Sequence, residues 1–277
     1  MLEKDMLLQL YRELEDWLNR IAAAKFISHD ALQKYFVPEG VQFSQSFFYR
    51  LASSLQNSGQ MSHSIQFHTS EPHRRAIGNV LYDFNAEKAA MHYAAPREVY
   101  DALLSAGIHD NGTGKNQQTN WMKYARGLFD GAHFLATEGG EEKLAEMIAM
   151  PETQIELNDA IEAITGIQKR IHGLGFALTC DWLKECGCTW LAKPDIHINK
   201  IVSRIKEKDS VPDKEVVRFI FDWAKLVREE GVDEDATTYK LDKMLWLVCT
   251  ENFYLDFQGN NRDRICQRVE TLLNTEG

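Results

Sequence analysis

The chain has 277 residues, 44% of them hydrophobic, five cysteines and a formal net charge of −10. That much apolar sequence fills one substantial core or two modest lobes and excludes a disordered chain. The longest apolar run, Met244 to Cys249, is far too short to span a bilayer, and acids stand among the first apolar residues where a secretory signal would be basic. A soluble, cytoplasmic protein is therefore expected. Cys180, Cys186, Cys188, Cys249 and Cys266 are odd in number and irregularly spaced, which fits reduced, buried thiols better than a disulfide framework.

The negative total argues against nucleic-acid binding, because neutralising phosphates supplies most non-specific affinity. The distribution reverses that argument locally. Residues 165–206 carry seven Lys/Arg against three acids, a net +4, while 1–164 carry −8 and 207–277 carry −6. One basic face on an acidic body would bind DNA in a single orientation.

Read in chain order, the apolar period is helical. Leu7, Leu10, Tyr11, Leu14, Trp17, Leu18 and Ile21 form one face of an amphipathic helix, and Ser28 reads as the N-cap of a second. Phe43, Phe47, Phe48 and Leu51 indicate a helix, after which His63, His68, His73 and His92 sit in sequence that reads as loop. Pro96 opens a helix to Leu104, and another runs from about Asn120 to Leu135 with Trp121, Tyr124, Ala125, Leu128 and Phe129 inward. Ser210, Pro212 and Asp213 start a helix bearing Val216, Val217, Ile220, Trp223 and Leu226, and Leu241, Leu245 and Val248 mark one more. Alternating strand patterns, repeats and low-complexity linkers are nearly absent. The expected architecture is all-α and two-lobed, with residues 1–110 as an N-terminal helical region partly packed on the C-terminal helices and 111–277 as the core.

Residues 161–185 are the most informative. Ile161, Ile164, Ile167 and Ile171 make a helix face that stops at His172-Gly173-Leu174-Gly175, and a new helix runs from Phe176 to Glu185. Two glycines around one aliphatic residue let the backbone turn sharply with Leu174 plugged between helices, leaving N–H groups at the second helix's start to bind phosphate. Such a turn grips a DNA backbone without reading sequence. Taken alone, the pattern is equally an ordinary interhelical turn.

The segment Lys193-Pro194-Asp195-Ile196-His197-Ile198-Asn199-Lys200-Ile201-Val202-Ser203-Arg204 shifts the balance. It resembles the Asp-x-His segment of the helix-hairpin-helix DNA glycosylases of the endonuclease III-like superfamily. There too a hairpin, a helix and a short loop precede an aspartate that opens a helix, with a histidine two residues on and a basic residue later. The hairpin position at which bifunctional members carry a Schiff-base lysine aligns with Ala177, and Asp195 then falls eighteen residues later, as in the family. The close resemblance covers about 40 residues, with weaker helical agreement over roughly 115–250; an aspartate serving only as a helix cap is the alternative for Asp195.

The resemblance implies a DNA glycosylase fold with Asp195 as the catalytic carboxylate. Breaking an N-glycosidic bond develops positive charge on the sugar, and an ionised carboxylate beside it is worth more in the transition state than before it. It can also orient or deprotonate water. Gly173, Leu174, Gly175, Ala177, Lys200 and Arg204 would contact the DNA backbone, while His197 and Lys193 would support the loop. Ala177 in place of lysine implies a monofunctional enzyme that leaves an abasic site, with Lys193 near enough to give residual lyase activity. The target nucleotide must be flipped out of the duplex.

Departures from the family narrow the expectation. Only Cys249 and Cys266 follow Asp195, so the four-cysteine iron–sulfur cluster of many members is excluded. A zinc site on Cys186, Cys188 and His172 is disfavoured by the single residue between the thiols. Gly112 to Asn116 lacks the spacing and hydroxyl of a phosphate loop, so no NTP is expected, nor a membrane partner. No cofactor is expected beyond a monovalent cation that the hairpin's backbone carbonyls could hold. Gln118, Asn120 and Trp121 lie where relatives build part of the base pocket, although an exposed loop with Asn116 or Thr119 capping the following helix reads as well. The long N-terminal region and missing cluster look like the clade named for α-glutamyl- or putrescinyl-thymine. That likeness implies excision of a hypermodified pyrimidine, such as glucosylated hydroxymethylcytosine, from the double-stranded DNA of phage as antiviral defence. A repair glycosylase for damaged or mismatched bases and a non-catalytic DNA-binding module are the alternatives.

Overall fold

A computed structural model of the chain describes residues 2–40, 46–110, 119–137 and 140–253. In chain order its helices are α1 (Leu2–Ala24), α2 (His29–Gln33), α3 (Phe47–Leu55), α4 (Ser62–Ile65), α5 (Glu71–Val80), α6 (Ala86–His92) and α7 (Pro96–Ser105). There follow α8 (Asn120–Leu135), α9 (Gly140–Ala149), α10 (Leu157–Gln168), α11 (Phe176–Glu185), α12 (Ile196–Ile205), α13 (Asp213–Glu229) and α14 (Thr238–Thr250). Every regular element among the described residues is helical, so the chain is all-α.

Side-chain caps open half of the fourteen helices named above. Ser28 Oγ accepts the Ala31 N–H at 3.2 Å to start α2, and Thr119 Oγ1 accepts the Met122 N–H at 3.1 Å to start α8. The residues around His63, His73 and His92, expected as loop, are instead helical. Ser70 Oγ caps α5 through the His73 N–H, and Asn85 Oδ1 caps α6 through the Lys88 N–H. The helices at His63 and His92 span four and seven residues, too short for an apolar stripe to repeat, while α5 carries His73, Arg74 and Arg75 ahead of its buried Ala76, Ile77 and Val80. Ser210 does not cap α13; the helix opens after Pro212 with no side-chain cap.

The chain divides into two compact units, and the boundary expected near residue 110 is not where it passes between them. The first unit holds the described residues of Met1–Pro38, Pro151–Ile155 and Gly187–Gly277. The second holds those of Glu39–Met150 and Glu156–Cys186. The reason is α1, whose stripe of Leu10, Tyr11 and Leu14 is fully buried against α13 and α14. Residues 39–110 join the helices of the hairpin instead.

In the first unit, Trp223 Nε1 donates to the Leu7 carbonyl at 3.1 Å, tying α13 to α1. Tyr11 donates its hydroxyl to the Asp233 carboxylate, which also takes Lys240 Nζ at 2.6 Å. Burial alone would raise the Asp233 carboxyl, but the bonds from Lys240 and Tyr11 outweigh it and hold it below its usual range. A depressed carboxylate stabilises the fold above the unfolded aspartate value, about 3.9, and that contribution is lost as pH falls through the lower folded value. Acid unfolding of Asp233→Asn should lack the corresponding pH-dependent component seen in wild type.

In the second unit, α8 is central. Its Trp121, Tyr124, Ala125 and Leu128 face inward, and it packs against α3, α6 and α7. The Tyr124 hydroxyl donates to the Ala52 carbonyl at 2.8 Å, so this buried polar group is satisfied.

Candidate functional site

The hairpin lies within the second unit. Helix α10 ends at Gln168, earlier than Ile171 would require, yet Ile171 remains buried at the turn. Gly173 has φ +81, the left-handed region where glycine is strain-free, and Leu174 is 3% exposed, plugged into the core as its position between two glycines requires. Gly175 is the N-cap of α11 and supplies no side-chain cap. The first N–H groups of this ten-residue helix therefore keep no partner from a capping side chain, as a phosphate-binding helix start requires.

Helix α8 fixes the turn from below. The Asp130 carboxylate accepts the His172 N–H at 2.9 Å. A Cβ added at Gly127 would lie 2.8 Å from the His172 carbonyl oxygen, so only glycine lets α8 approach this closely. The His172 imidazole is held below its usual value by partial burial and by the nearby Arg126 and Lys123, with Asp130 opposing. Exposed Lys123 and Arg126 thus add positive charge beside the hairpin. They stand outside the basic stretch visible in the sequence, because α8 reaches the turn only through tertiary packing.

Asp195 lies within the first unit, as the N-cap of α12. Its Oδ1 accepts the N–H groups of His197 at 2.9 Å and Ile198 at 3.1 Å, and the side chain is half-buried. Both cap bonds go to one carboxylate oxygen. Ile198, Ile201, Val202 and Ile205 face the core. Ile196, Lys200 and Arg204, spaced by four, face out. Ile196, next to Asp195 in the chain, is 69% exposed.

The loop into Asp195 is held from two sides. Asp242 Oδ1 accepts the Lys193 N–H at 2.7 Å, and Asn199 Nδ2 donates to the Pro194 carbonyl at 3.2 Å and to Asp213 Oδ1 at 3.1 Å. His197, expected to support this loop, has a buried Nδ1 with no hydrogen-bond partner. Hydrogen-bonded bracing comes from Asn199 and Asp242 instead, neither of which the sequence singled out.

Two of the three expected base-pocket residues, Trp121 and Asn120, are engaged within the second unit. Trp121 is 3% exposed and stacks edge-on against His73 and Tyr124, because its position on α8 shares the inward face with Tyr124 and Leu128. Asn120 Nδ2 donates to Ser64 Oγ at 2.9 Å. Gln118 lies outside the described residues, as do Asn116 and Cys266. A cavity of about 480 Å³ in the second unit opens among the starts of α3, α6 and α9, lined by Glu87, Glu141 and Glu142 and by neither Asn120 nor Trp121. Burial, reinforced by Glu87, pushes the Glu141 carboxyl up. Among the described residues no group of three or more metal-ligating side chains converges, and no helix is long and apolar enough to cross a membrane.

No protein-family model and no curated protein matches the chain. Among solved structures it is similar to the crystal structure of the 8-oxoguanine DNA glycosylase of Thermotoga maritima, at 14% identity and a TM-score of 0.48, over 86% of this chain and 96% of that one. The functional reading accordingly stands on the chain's own hairpin and carboxylate.

Proposed function

We propose that this protein is a monofunctional DNA glycosylase of the helix-hairpin-helix type, with Asp195 as its catalytic carboxylate. The observation that carries this reading is the hairpin itself. It combines a left-handed Gly173, a plugged Leu174 and a start of α11 without a side-chain cap, and it is followed at the family's spacing by a half-buried aspartate opening a helix. In this reading the α11 N–H groups hold a phosphate, and Lys200 and Arg204 add charge along the outward face of α12. The Asp195 carboxylate stabilises positive charge developing on the deoxyribose and orients the attacking water. Ala177 offers no amine for a Schiff base, so the product is an abasic site.

We further propose a hypermodified pyrimidine of phage DNA, such as glucosylated hydroxymethylcytosine, as the base removed, which would make the activity antiviral. Sequence resemblance supports this choice; a damaged or mismatched base is the second reading. The test is a panel: phage DNA with modified pyrimidines, unmodified DNA, and duplexes bearing uracil, 8-oxoguanine, alkylated and mismatched bases, assayed for aldehyde-reactive abasic sites and released base. Abasic sites on the modified DNA alone support the phage-base reading, and sites on one damaged duplex support the repair reading. No sites on any substrate would refute catalysis and leave a DNA-binding module.

The basic face of α12 has its own test. Reversing Lys200 and Arg204 to glutamate should weaken duplex binding and flatten the slope of log K against log salt by about 2, roughly one for each phosphate no longer neutralised. An unchanged slope would place the DNA face elsewhere.

A further inference from the structure

We propose that Asp242 is a positioning residue for Asp195, acting through the backbone of the loop between them, with Asn199 as its partner on the other side. The inference rests on the reading of Asp195 as the catalytic carboxylate and concerns the first unit alone.

An aspartate that caps α12 takes its position from the chain that delivers it, and that chain is anchored to α14. The Tyr239 N–H donates to the Thr189 carbonyl at 2.8 Å, pinning the segment where it leaves Cys188. Trp190, Leu191 and Ala192 are then fully buried. One turn further along α14, Asp242 Oδ1 accepts the Lys193 N–H at 2.7 Å, two residues before Asp195. The Asp195 N–H bonds back to the Lys193 carbonyl at 2.7 Å, closing a tight turn. Asn199 completes the frame by joining the Pro194 carbonyl to Asp213 at the start of α13. Each of Lys193, Pro194 and Asp195 is thereby fixed through its backbone.

The chemistry of Asp242 sets it apart from ordinary packing. It is 1% exposed, the one buried acid among the described residues. Burying a carboxylate costs several kcal/mol unless its oxygens are engaged, and an apolar residue on this inward position of α14 would pack without that cost. A short bond to the Lys193 N–H sets the height of the loop along α14. Displacing a reacting group by about 1 Å costs about 10²-fold in rate, so a carboxylate placed by such a bond would register its loss in chemistry before binding.

The experiment compares wild type, Asp242→Ala, Asp242→Asn and Asn199→Ala. Single-turnover excision is followed on phage DNA carrying glucosylated hydroxymethylcytosine and on the damaged-base duplexes above. Affinity is read separately on a duplex holding a tetrahydrofuran abasic analogue, and folding by thermal melting. Asp242→Ala is expected to lower the single-turnover rate by about 10- to 100-fold with the affinity unchanged. Asp242→Asn, which keeps an oxygen for the Lys193 N–H, should recover most of the rate. If Asp242→Ala does not fold, Asn199→Ala should show the same split between rate and affinity. Wild-type rates in Asp242→Ala, or in Asn199→Ala where only that variant folds, would overturn the positioning role while leaving Asp195 in place. So would loss of rate and affinity in parallel. Absence of excision by wild type itself would overturn the glycosylase reading, and this inference with it.

Discussion

Asp195→Asn should abolish base excision while leaving both the fold and duplex affinity intact. The expectation follows from the proposed catalytic role of this side chain and from its observed role as a cap. As an N-cap it accepts two backbone N–H groups at Oδ1, and asparagine caps a helix about as well as aspartate. The substitution therefore keeps the cap and removes only the negative charge. Loss of a preorganised electrostatic partner to a developing charge typically costs about 10² to 10³ in rate, and the loss is greater if the same group also orients the water. Asp195→Ala is the counterpart: it removes charge and cap together and should lower stability by about 1 kcal/mol. Single-turnover excision, urea denaturation and binding to an abasic-analogue duplex separate the effects. If Asp195→Asn turns over at the wild-type rate, Asp195 is a helix cap and nothing more.

Trp182→Ala should be the most destabilising single change near the hairpin. Trp182 lies on α11 with its ring fully buried, its Nε1 donating to the Phe47 carbonyl at 2.9 Å and its ring centroid 6.4 Å from that of Phe134. It joins the second helix of the hairpin to α3 and α8. Truncating a buried tryptophan costs about 3–5 kcal/mol through the apolar transfer energy forgone and the cavity left behind, a large share of the roughly 5–15 kcal/mol available to a domain. Trp182→Phe retains most of the apolar volume but leaves the Phe47 carbonyl without the indole donor, so its cost should be nearer 1 kcal/mol. Urea midpoints of the two variants measure this order. A Trp182→Ala protein as stable as wild type would mean that the hairpin is held by other side chains.

Much of the site follows from local chemistry. Gly173-Leu174-Gly175 dictates a sharp turn with an inward leucine because only glycine accepts φ +81 without strain and only the aliphatic residue gains from burial. Asp195 opens a helix because its short carboxylate satisfies N–H groups that no residue earlier in the helix can reach. The long helices α1, α8, α13 and α14 are equally legible, since each repeats an apolar stripe over several turns.

What the sequence could not determine was which stripe meets which. The N-terminal α1 belongs with α13 and α14 because its apolar face is buried there, a pairing between opposite ends of the chain that periodicity cannot encode. The same limit hid Lys123 and Arg126 beside the hairpin and the support of the Asp195 loop by Asp242. A residue's type and spacing fix its local conformation and the chemistry it offers. Whether that chemistry faces solvent, core or a neighbouring loop depends on long-range burial, and only the tertiary structure decided it.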